Sequence, residues 1–194
     1  MWQQILPGLR LKLVMTILLG VVYPLALTGI CQALFPERAN GSLIVRNGTV
    51  IGSMLIGQNF TKAEYFQPRP SAAGTNGYDA TASGGSNYGP TNQKLADRVK
   101  AAAEKFKQDN PDFSGPLPAD LLTTSASGLD PHLSPDSAMA QVSRVAAARH
   151  VPTAQIQQLV AQFTEGRDLG ILGEPRVHVL ALNLALDEKF PASK

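Results

Sequence analysis

The sequence predicts an α+β protein with a single N-terminal transmembrane helix, followed by one extracytoplasmic domain that contains a β-hairpin, a long loop region and several helices. Three observations lead to this class. Residues 13–35 form an uncharged apolar run, two β-branched runs flank an Asn-Gly pair shortly after it, and helical patterns dominate the C-terminal half. We therefore divide the chain of 194 residues into three parts. These are a cytoplasmic N-terminus (1–12), a transmembrane helix (13–36) and a periplasmic domain (37–194).

The apolar run Leu13–Phe35 is long enough to cross a bilayer. As a helix it would span about 35 Å, against roughly 30 Å for a hydrocarbon core. A cleaved signal peptide is disfavoured because its apolar region would run only about 7–15 residues. A lipoprotein anchor on Cys31 is disfavoured because the preceding Ile30 is not small. Arg10 and Lys12 precede the run, which predicts that the N-terminus is cytoplasmic and that the rest lies outside.

One face of this helix is predicted to pack against another membrane helix. Thr16, Gly20, Pro24 and Thr28 recur every four residues. Small and weakly polar residues mark close helix contacts in lipid, where apolar burial alone gives no drive to associate. Gly and Pro are also common in membrane helices generally, which is the plainer alternative. We favour a protein partner at this face and expect a bend at Pro24.

Charge and cysteine content exclude several classes of function. The part of the chain after residue 38 carries equal numbers of acidic and basic residues, so it lacks the basic excess of nucleic-acid-binding domains. The only cysteine, Cys31, lies within the membrane run. The predicted domain therefore has neither disulfides nor thiol chemistry, as suits an exported domain large enough to fold without covalent links.

The domain is expected to begin with a hairpin at Asn47-Gly48, because a type I′ turn needs two residues that tolerate positive φ. Residues 58–90 show no helical or strand period, yet their aromatic residues argue against disorder. Helical patterns then predict a helix from Thr91 or Asn92 to Asn110, a short turn at 118–122, one long helix from Ser134 to about Arg149, a helix after Pro152, and a last helix over 175–189. In the last segment alternating leucines also fit a strand, and Leu/Ala content decides for helix.

Polar side chains are densest in the segment Thr123–Ser134. An enzyme would use Ser127 as nucleophile, His132 as base and Asp130 as orienting group, but triad members usually converge from distant segments and Ser127 lacks a G-x-S-x-G elbow. A metal site at Asp130 and His132 is another alternative, although the other histidines lack ligand spacing. The preferred interpretation is a non-catalytic interaction turn. In it Asp130 accepts hydrogen bonds from nearby backbone amides and Ser134 caps a helix.

A second candidate segment consists of Ser83, Gly84, Gly85 and Ser86, which invite comparison with a phosphate-binding loop. A P-loop would need the pattern G-x-x-x-x-G-K-[ST] between a strand and a helix, and no such lysine is present. Sequence alone predicts a flexible loop. These four residues are retained as the candidates for cofactor binding, and no metal site is predicted.

Several blocks occur in an order and spacing that resemble a known family. They are Gly52-Ser53 with Ile56–Phe60, Tyr65–Ala72, Ser83–Asn87 with Gly89-Pro90, Ser127–His132 with Arg144–Ala146, and Leu172–Val177 with Leu182-Asn183. Together they resemble the C subunit of the Kdp-type, ATP-driven potassium uptake complex. The resemblance covers essentially the whole chain, membrane helix included. One departure is His178, where the family pattern leads us to expect Asn.

The resemblance implies a non-catalytic subunit in the bacterial inner membrane. Its implied partners are a potassium-binding channel-like subunit, a P-type ATPase subunit and a small fourth subunit. It also implies a catalytic chaperone that raises the ATPase subunit's affinity for ATP, and Ser83–Ser86 loosely resembles an ABC-transporter signature invoked for that role. The alternative function is a membrane-anchored periplasmic hydrolase that uses Ser127, Asp130 and His132.

The implied ATP effect conflicts with the predicted topology, because ATP is scarce outside the cytoplasm. We therefore expect any influence on ATP affinity to travel through the membrane helices as a coupling between sites. We also expect the domain to lie over the outer mouth of the channel-like subunit. Loops rich in carbonyls and hydroxyls, such as 78–89 and 127–132, would shape ion access there.

Overall fold

The computed structural model describes residues 2–191, and two compact units divide the chain between Ile51 and Gly52. The mixture of helices and small antiparallel sheets confirms the predicted α+β class. In chain order the elements are α1 (Trp2–Ile17), a π-helical turn (Leu18–Val22), α2 (Tyr23–Leu34), α3 (Pro36–Ala39), β1 (Leu43–Arg46), β2 (Thr49–Ser53), α4 (Gln93–Asp109), a 3₁₀ turn (Ala119–Leu121), β3 (His132–Leu133), α5 (Pro135–Met139), α6 (Val142–Arg149), α7 (Thr153–Gln162), β4 (Thr164–Glu165), β5 (Arg176–His178) and α8 (Val179–Lys189).

Among the described residues, Gln3–Leu34 is the one helical stretch long and apolar enough to cross a membrane. It starts earlier than the predicted span, because apolarity marks only the part that lipid can cover while the helix continues beyond it. We predicted a bend at Pro24, and the structure has a widened turn just before this residue, where the Tyr23 N–H donates to the Leu18 carbonyl five residues back. Proline lacks an N–H and crowds the carbonyl four residues earlier, and a wider turn accommodates both effects.

The predicted hairpin is confirmed. Strands β1 and β2 pair across Asn47-Gly48, which have φ of 53° and 75°. Positive φ at both central residues defines the type I′ turn that the Asn-Gly pair favours.

The core of the second unit is formed by α5–α8 and a three-stranded antiparallel sheet in the order β3-β5-β4. In this sheet Leu133 and Thr164 both lie opposite Val177, one from each side. Helix α4 is amphipathic and starts where expected, because the Asn92 side chain accepts from the Lys94 N–H at 2.9 Å. The fully buried side chains include Phe66, Leu133, Val142, Val145, Ile156, Leu159, Val160, Val177, Leu182 and Leu186.

Two of the predicted helices need correction. The single helix expected over 134–149 is two helices, α5 and α6, separated by Ala140 and Gln141. At this break the buried Gln141 side chain forms hydrogen bonds with the backbone of Gln67. The segment 175–189 begins as strand β5 and only then turns into helix α8. Its leucines alternate because core residues cover α8 on several sides, so no polar face interrupts the pattern.

The irregular segment 58–90 contains neither a helix nor a strand, as predicted, and it is nevertheless held in place. Two buried side-chain amides pair with its backbone. Asn183 accepts from the Phe66 N–H and donates to the Phe66 carbonyl, both at 2.9 Å. Gln141 pairs in the same way with Gln67, at 2.8 and 3.0 Å. These amides supply the partners that a neighbouring strand would otherwise provide.

Candidate functional site

The turn Thr123–Ser134 is a junction to which three other segments bind. The Gly57 N–H donates to the Leu129 carbonyl at 2.9 Å. The Ser71 hydroxyl donates to the Gly128 carbonyl at 2.6 Å. The Gly84 N–H donates to the Ser127 carbonyl at 2.8 Å. The turn therefore binds the residue just before the irregular segment 58–90, its middle and a position near its end.

Asp130 is the electrostatic centre of this junction. Its Oδ1 accepts from the His132 backbone N–H at 3.0 Å, and its Oδ2 accepts from Arg69 Nη1 at 2.9 Å. Burial raises the pKa of Asp130, but the hydrogen bonds from His132 and the charge of Arg69 outweigh it, so the net pKa lies below its usual range. The carboxylate is thus charged and paired. The predicted bonding of Asp130 to a nearby backbone amide is confirmed.

Ser127 is engaged by its own chain. Its hydroxyl accepts from the Leu129 N–H at 3.1 Å, and its carbonyl accepts from the Ser83 hydroxyl at 3.0 Å as well as from Gly84. The hydroxyls of Ser86 and Thr124 lie 3.2 Å apart. The two segments that the sequence singled out separately, 83–86 and 127–132, are therefore packed together.

The glycines of this junction are explained by close packing. Gly128 has a φ of 68°, and a Cβ there would lie 2.7 Å from the Gly84 carbonyl oxygen and 2.9 Å from the Ala73 nitrogen. A Cβ on Gly85 would lie 3.0 Å from the Ala126 carbonyl oxygen. The Gly-Gly pair thus lets one loop approach another. The N–H of Gly84, which a phosphate would need, already donates to Ser127.

The residues of the hypothetical triad do not form one. Within the described part of the chain, no hydrogen bond joins Ser127 to His132, and His132 Nδ1 lies 3.4 Å from Asp130 Oδ1. The His132 ring instead contacts the ring of His178 edge-on, with centroids 5.2 Å apart. No group of three or more His, Cys, Asp or Glu suited to a metal ion was found among residues 2–191.

His178 has a structural role that the sequence did not reveal. Its Nδ1 accepts from the Ala181 N–H at 3.2 Å and so caps α8, while its Nε2 lies 2.9 Å from the Met54 carbonyl oxygen. The ring is therefore neutral, with the proton on Nε2. Burial lowers the pKa of His178, which keeps it in this form.

Three arginines hold distant segments of the chain together, a role that the sequence did not indicate. Arg69, between two prolines, pairs with Asp130, and the Tyr78 hydroxyl donates to its carbonyl at 2.8 Å. Arg144 donates to the Asn110 side chain and to the carbonyl of Tyr65. The buried Arg149 donates to Glu64, Phe190 and Asp187. The sequence feature that singles out Arg69 is its position between two prolines.

An open cleft of about 590 Å³ lies beside the junction. Its walls combine apolar side chains with hydroxyls and with the Arg69–Asp130 pair. The residues that line it are Leu55, Ile56, Arg69, Thr124–Ser127 and Leu129–Pro131.

Comparison with known proteins identifies the family. A profile described as K+-transporting ATPase, c chain, matches residues 5–188. The chain belongs to the KdpC family. A protein from Rhodospirillum rubrum named Potassium-transporting ATPase KdpC subunit is 60% identical over 185 residues, which cover 95% of each chain. Proteins of the same name from Myxococcus xanthus and Dechloromonas aromatica are 56% and 54% identical, over 98% and 93% of this chain and 90% and 95% of theirs.

Membership in this family confirms the resemblance drawn from the sequence blocks. The chain is a subunit of a potassium-transporting ATPase, and residues 2–191 contain one candidate membrane helix, near the N-terminus. The hydrolase alternative is not favoured, because a transport-ATPase subunit is expected here and Ser127 and His132 are not hydrogen-bonded to each other.

Proposed function

We propose that this chain is a non-catalytic subunit that assembles and regulates a high-affinity potassium uptake complex of the bacterial inner membrane. The observation that carries the proposal is the state of the membrane helix. No residue in its most apolar window is buried by the rest of the described chain. The row Thr16, Gly20, Pro24 and Thr28 is correspondingly open, and the nearest atom to a Cβ on Gly20 would be Thr16 Cγ2 at 4.0 Å.

The small residues of this row suit close contact with a helix of another subunit. The residues step by four, so in a regular α-helix the row would drift around the axis by about 40° at each step. The π-helical turn Leu18–Val22 lies within the row and holds more residues per turn, which reduces this drift. The partners we propose are the potassium-binding channel-like subunit and the P-type ATPase subunit, with the small fourth subunit alongside.

The second unit is placed on the periplasmic side in this proposal. Arg10 and Lys12 precede the apolar core of the span, and basic residues close to a span tend to stay in the cytoplasm. A reporter fused after Lys194 tests the orientation. A periplasm-specific reporter should be active and a cytoplasm-specific reporter inactive, and the reverse pattern would refute the placement.

The junction of loops 83–86 and 127–132 is the proposed interaction turn over the outer mouth of the channel-like subunit. Its support is the open cleft lined by hydroxyls, carbonyls and the Arg69–Asp130 pair. ATP acts elsewhere in this proposal, because the Ser83 hydroxyl and the Gly84 N–H already donate to Ser127. The subunit raises the ATP affinity of its partner by coupling through the membrane helix.

The test is co-purification of the complex from detergent, joined to potassium-stimulated ATPase activity with and without this chain. We expect the chain to co-purify, and we expect its removal to raise the ATP concentration needed for half-maximal activity. Complexes that assemble and respond to potassium and ATP equally well without the chain would refute the proposal.

A matched pair of substitutions tests the helix face. Gly20→Leu combined with Thr28→Leu should reduce co-purification, because bulk at a close contact separates the helices. Ala26→Leu adds similar bulk about half a turn away from Pro24 and Thr28 and should leave assembly intact. Equal recovery of both variants would remove the face from the proposal.

A further inference from the structure

The hairpin formed by β4 and β5 ends in an exposed apolar tip, which we define as residues 168–172. Leu169, Ile171 and Leu172 expose 89%, 76% and 56% of their surfaces. Single exposed apolar residues are ordinary on a soluble domain, but three within four positions at the end of one hairpin form a patch. Such patches mark interaction sites.

The tip is a built structure. Asp168 and Leu172 exchange backbone hydrogen bonds of 2.8 and 2.9 Å, which close the turn. Leu169 has a φ of 54°, a left-handed conformation that bulky residues avoid and that Gly or Asn adopts readily. Packing within the domain does not explain a leucine in this conformation, because its side chain lies in solvent.

Charged residues surround the tip and give its edge a net negative charge. Arg167 pairs with Glu174 at 2.8 Å, and Arg176 pairs with Glu165 at 3.1 Å and with Asp168 at 3.4 Å. In every pair the carboxylate side chain is more exposed than the guanidinium. The hairpin also holds three acidic and two basic residues between positions 164 and 176. The patch is therefore apolar at its centre and negative around its edge.

This charge pattern selects between a bilayer and a protein. Anionic membranes attract basic clusters, and interfacial anchors commonly use aromatic residues, whereas this tip has an acidic edge and no aromatic residue. An apolar centre inside a polar rim is the usual anatomy of a protein interface. The complementary surface is an apolar pocket with a basic rim.

We propose that the tip 168–172 inserts into such a pocket on an extracytoplasmic face of another subunit of the same potassium-transporting complex. This inference rests on the proposed function, since it requires that the chain assemble with other subunits. It adds the contact surface and the chemistry of its partner.

Photocrosslinking in the intact complex tests the contact. A diazirine-bearing amino acid at position 169 should crosslink to one co-purifying subunit upon irradiation. The control position is Met139, an exposed apolar residue at the end of α5. We expect no comparable product from position 139. Crosslinks to lipid only, equal crosslinks from both positions, or none from position 169 in an assembled complex would each overturn the inference.

Two substitutions separate binding from folding. Leu169→Gly should leave the thermal stability of the full chain unchanged or higher, because Gly accepts the left-handed conformation. It should nevertheless speed dissociation from the complex. Replacing Leu169, Ile171 and Leu172 together by Ser should speed dissociation at least tenfold, as loss of an interface hot spot does.

The outcomes distinguish this inference from the function on which it rests. A wild-type chain that does not co-purify refutes the proposed function before the tip is tested. A wild-type chain that co-purifies, together with a triple variant that dissociates at the wild-type rate, refutes only the role of the tip.

Discussion

The irregular segment 58–90 and the hairpin tip 168–172 are both loops, yet they differ in what holds them. The backbone of the first is bound by buried side chains from helices, above all Asn183 and Gln141. The second is held by local backbone bonds and surface ion pairs, and its apolar side chains lie in solvent. The domain supplies hydrogen-bond partners for the backbone of the first loop. It leaves the apolar side chains of the second loop uncovered.

This difference distinguishes two kinds of irregular segment. A loop whose buried N–H and C=O groups find partners belongs to the structure, however little periodicity its sequence has. A loop that leaves several large apolar side chains in water presents surface suited to a partner, as we propose for the tip. Substitutions in the first loop should therefore change stability, and substitutions in the second should change assembly.

The largest effect is expected from Asn183→Leu. Leucine has a similar volume but leaves the Phe66 N–H and carbonyl without partners in a buried site, and each unsatisfied group costs about 1–3 kcal/mol. We expect the free energy of unfolding to fall by about 3 kcal/mol, which corresponds to a drop in melting temperature of roughly 10 °C. Thermal unfolding of the full chain in detergent, followed by near-UV circular dichroism, measures this.

The control for this variant is Asn76→Leu, which removes an exposed carboxamide from the same segment. Its melting temperature should stay within about 2 °C of wild type, as is usual for surface substitutions. Similar losses from both variants would mean that burial of the amide is not what stabilises the segment.

The next effect is expected from Gly128→Ala, at the junction of the irregular segment with the turn. The added Cβ would meet the Gly84 carbonyl and the Ala73 nitrogen at distances that real contacts do not show, and φ is positive. We expect a loss of about 2 kcal/mol, since strain and displacement of backbone both contribute.

Gly89→Ala is the matched control, because no atom lies within 4 Å of a Cβ there. Hydrogen exchange should show faster opening of residues 83–86 in Gly128→Ala and little change in the control. Unchanged protection in Gly128→Ala would contradict the close packing of the two loops.

Sequence patterns predicted the parts of the fold that depend on local chemistry. The Asn47-Gly48 turn, the Asn92 cap and the apolar run of the membrane helix each follow from a short stretch of residues. The position of the candidate turn at 127–132 was also readable, because hydroxyls and one carboxylate cluster there.

Contacts between distant residues could not be read in the same way. The residues next to Gln141 in sequence do not indicate that the helix breaks there or that Gln141 pairs with Gln67. Likewise, no short pattern indicates that Arg69 pairs with Asp130. The tip at 168–172 was missed because its short apolar run is unremarkable in sequence, and only the fold shows that the run stays in solvent.

The smallest effect is a pH dependence at His178, which connects the two regions. His178 ends β5 of the hairpin sheet, while its Nε2 contacts the Met54 carbonyl just before the irregular segment. Protonation would place a second N–H against the Ala181 N–H and remove the cap of α8. His132 and Glu165 are the titratable groups whose charges act on this ring, and Asp130 lies beside His132.

The sign follows from the lowered pKa of His178 in the folded state, which burial causes first and the nearby His132 supports. The unfolded chain takes up the proton at a higher pH than the folded chain. The contribution of His178 to the free energy of unfolding is therefore fully present above pH ~6.5. It is lost as the pH falls towards the lowered pKa, with a slope of at most about 1.4 kcal/mol per pH unit.

His178→Asn isolates this contribution, because the Asn side chain can still cap α8 but does not titrate. The melting temperature of the wild type should fall faster than that of the variant between pH 7 and pH 5. Parallel curves would show that the pKa of His178 is the same in the folded and the unfolded chain, and the histidine would then cap α8 without making its stability depend on pH.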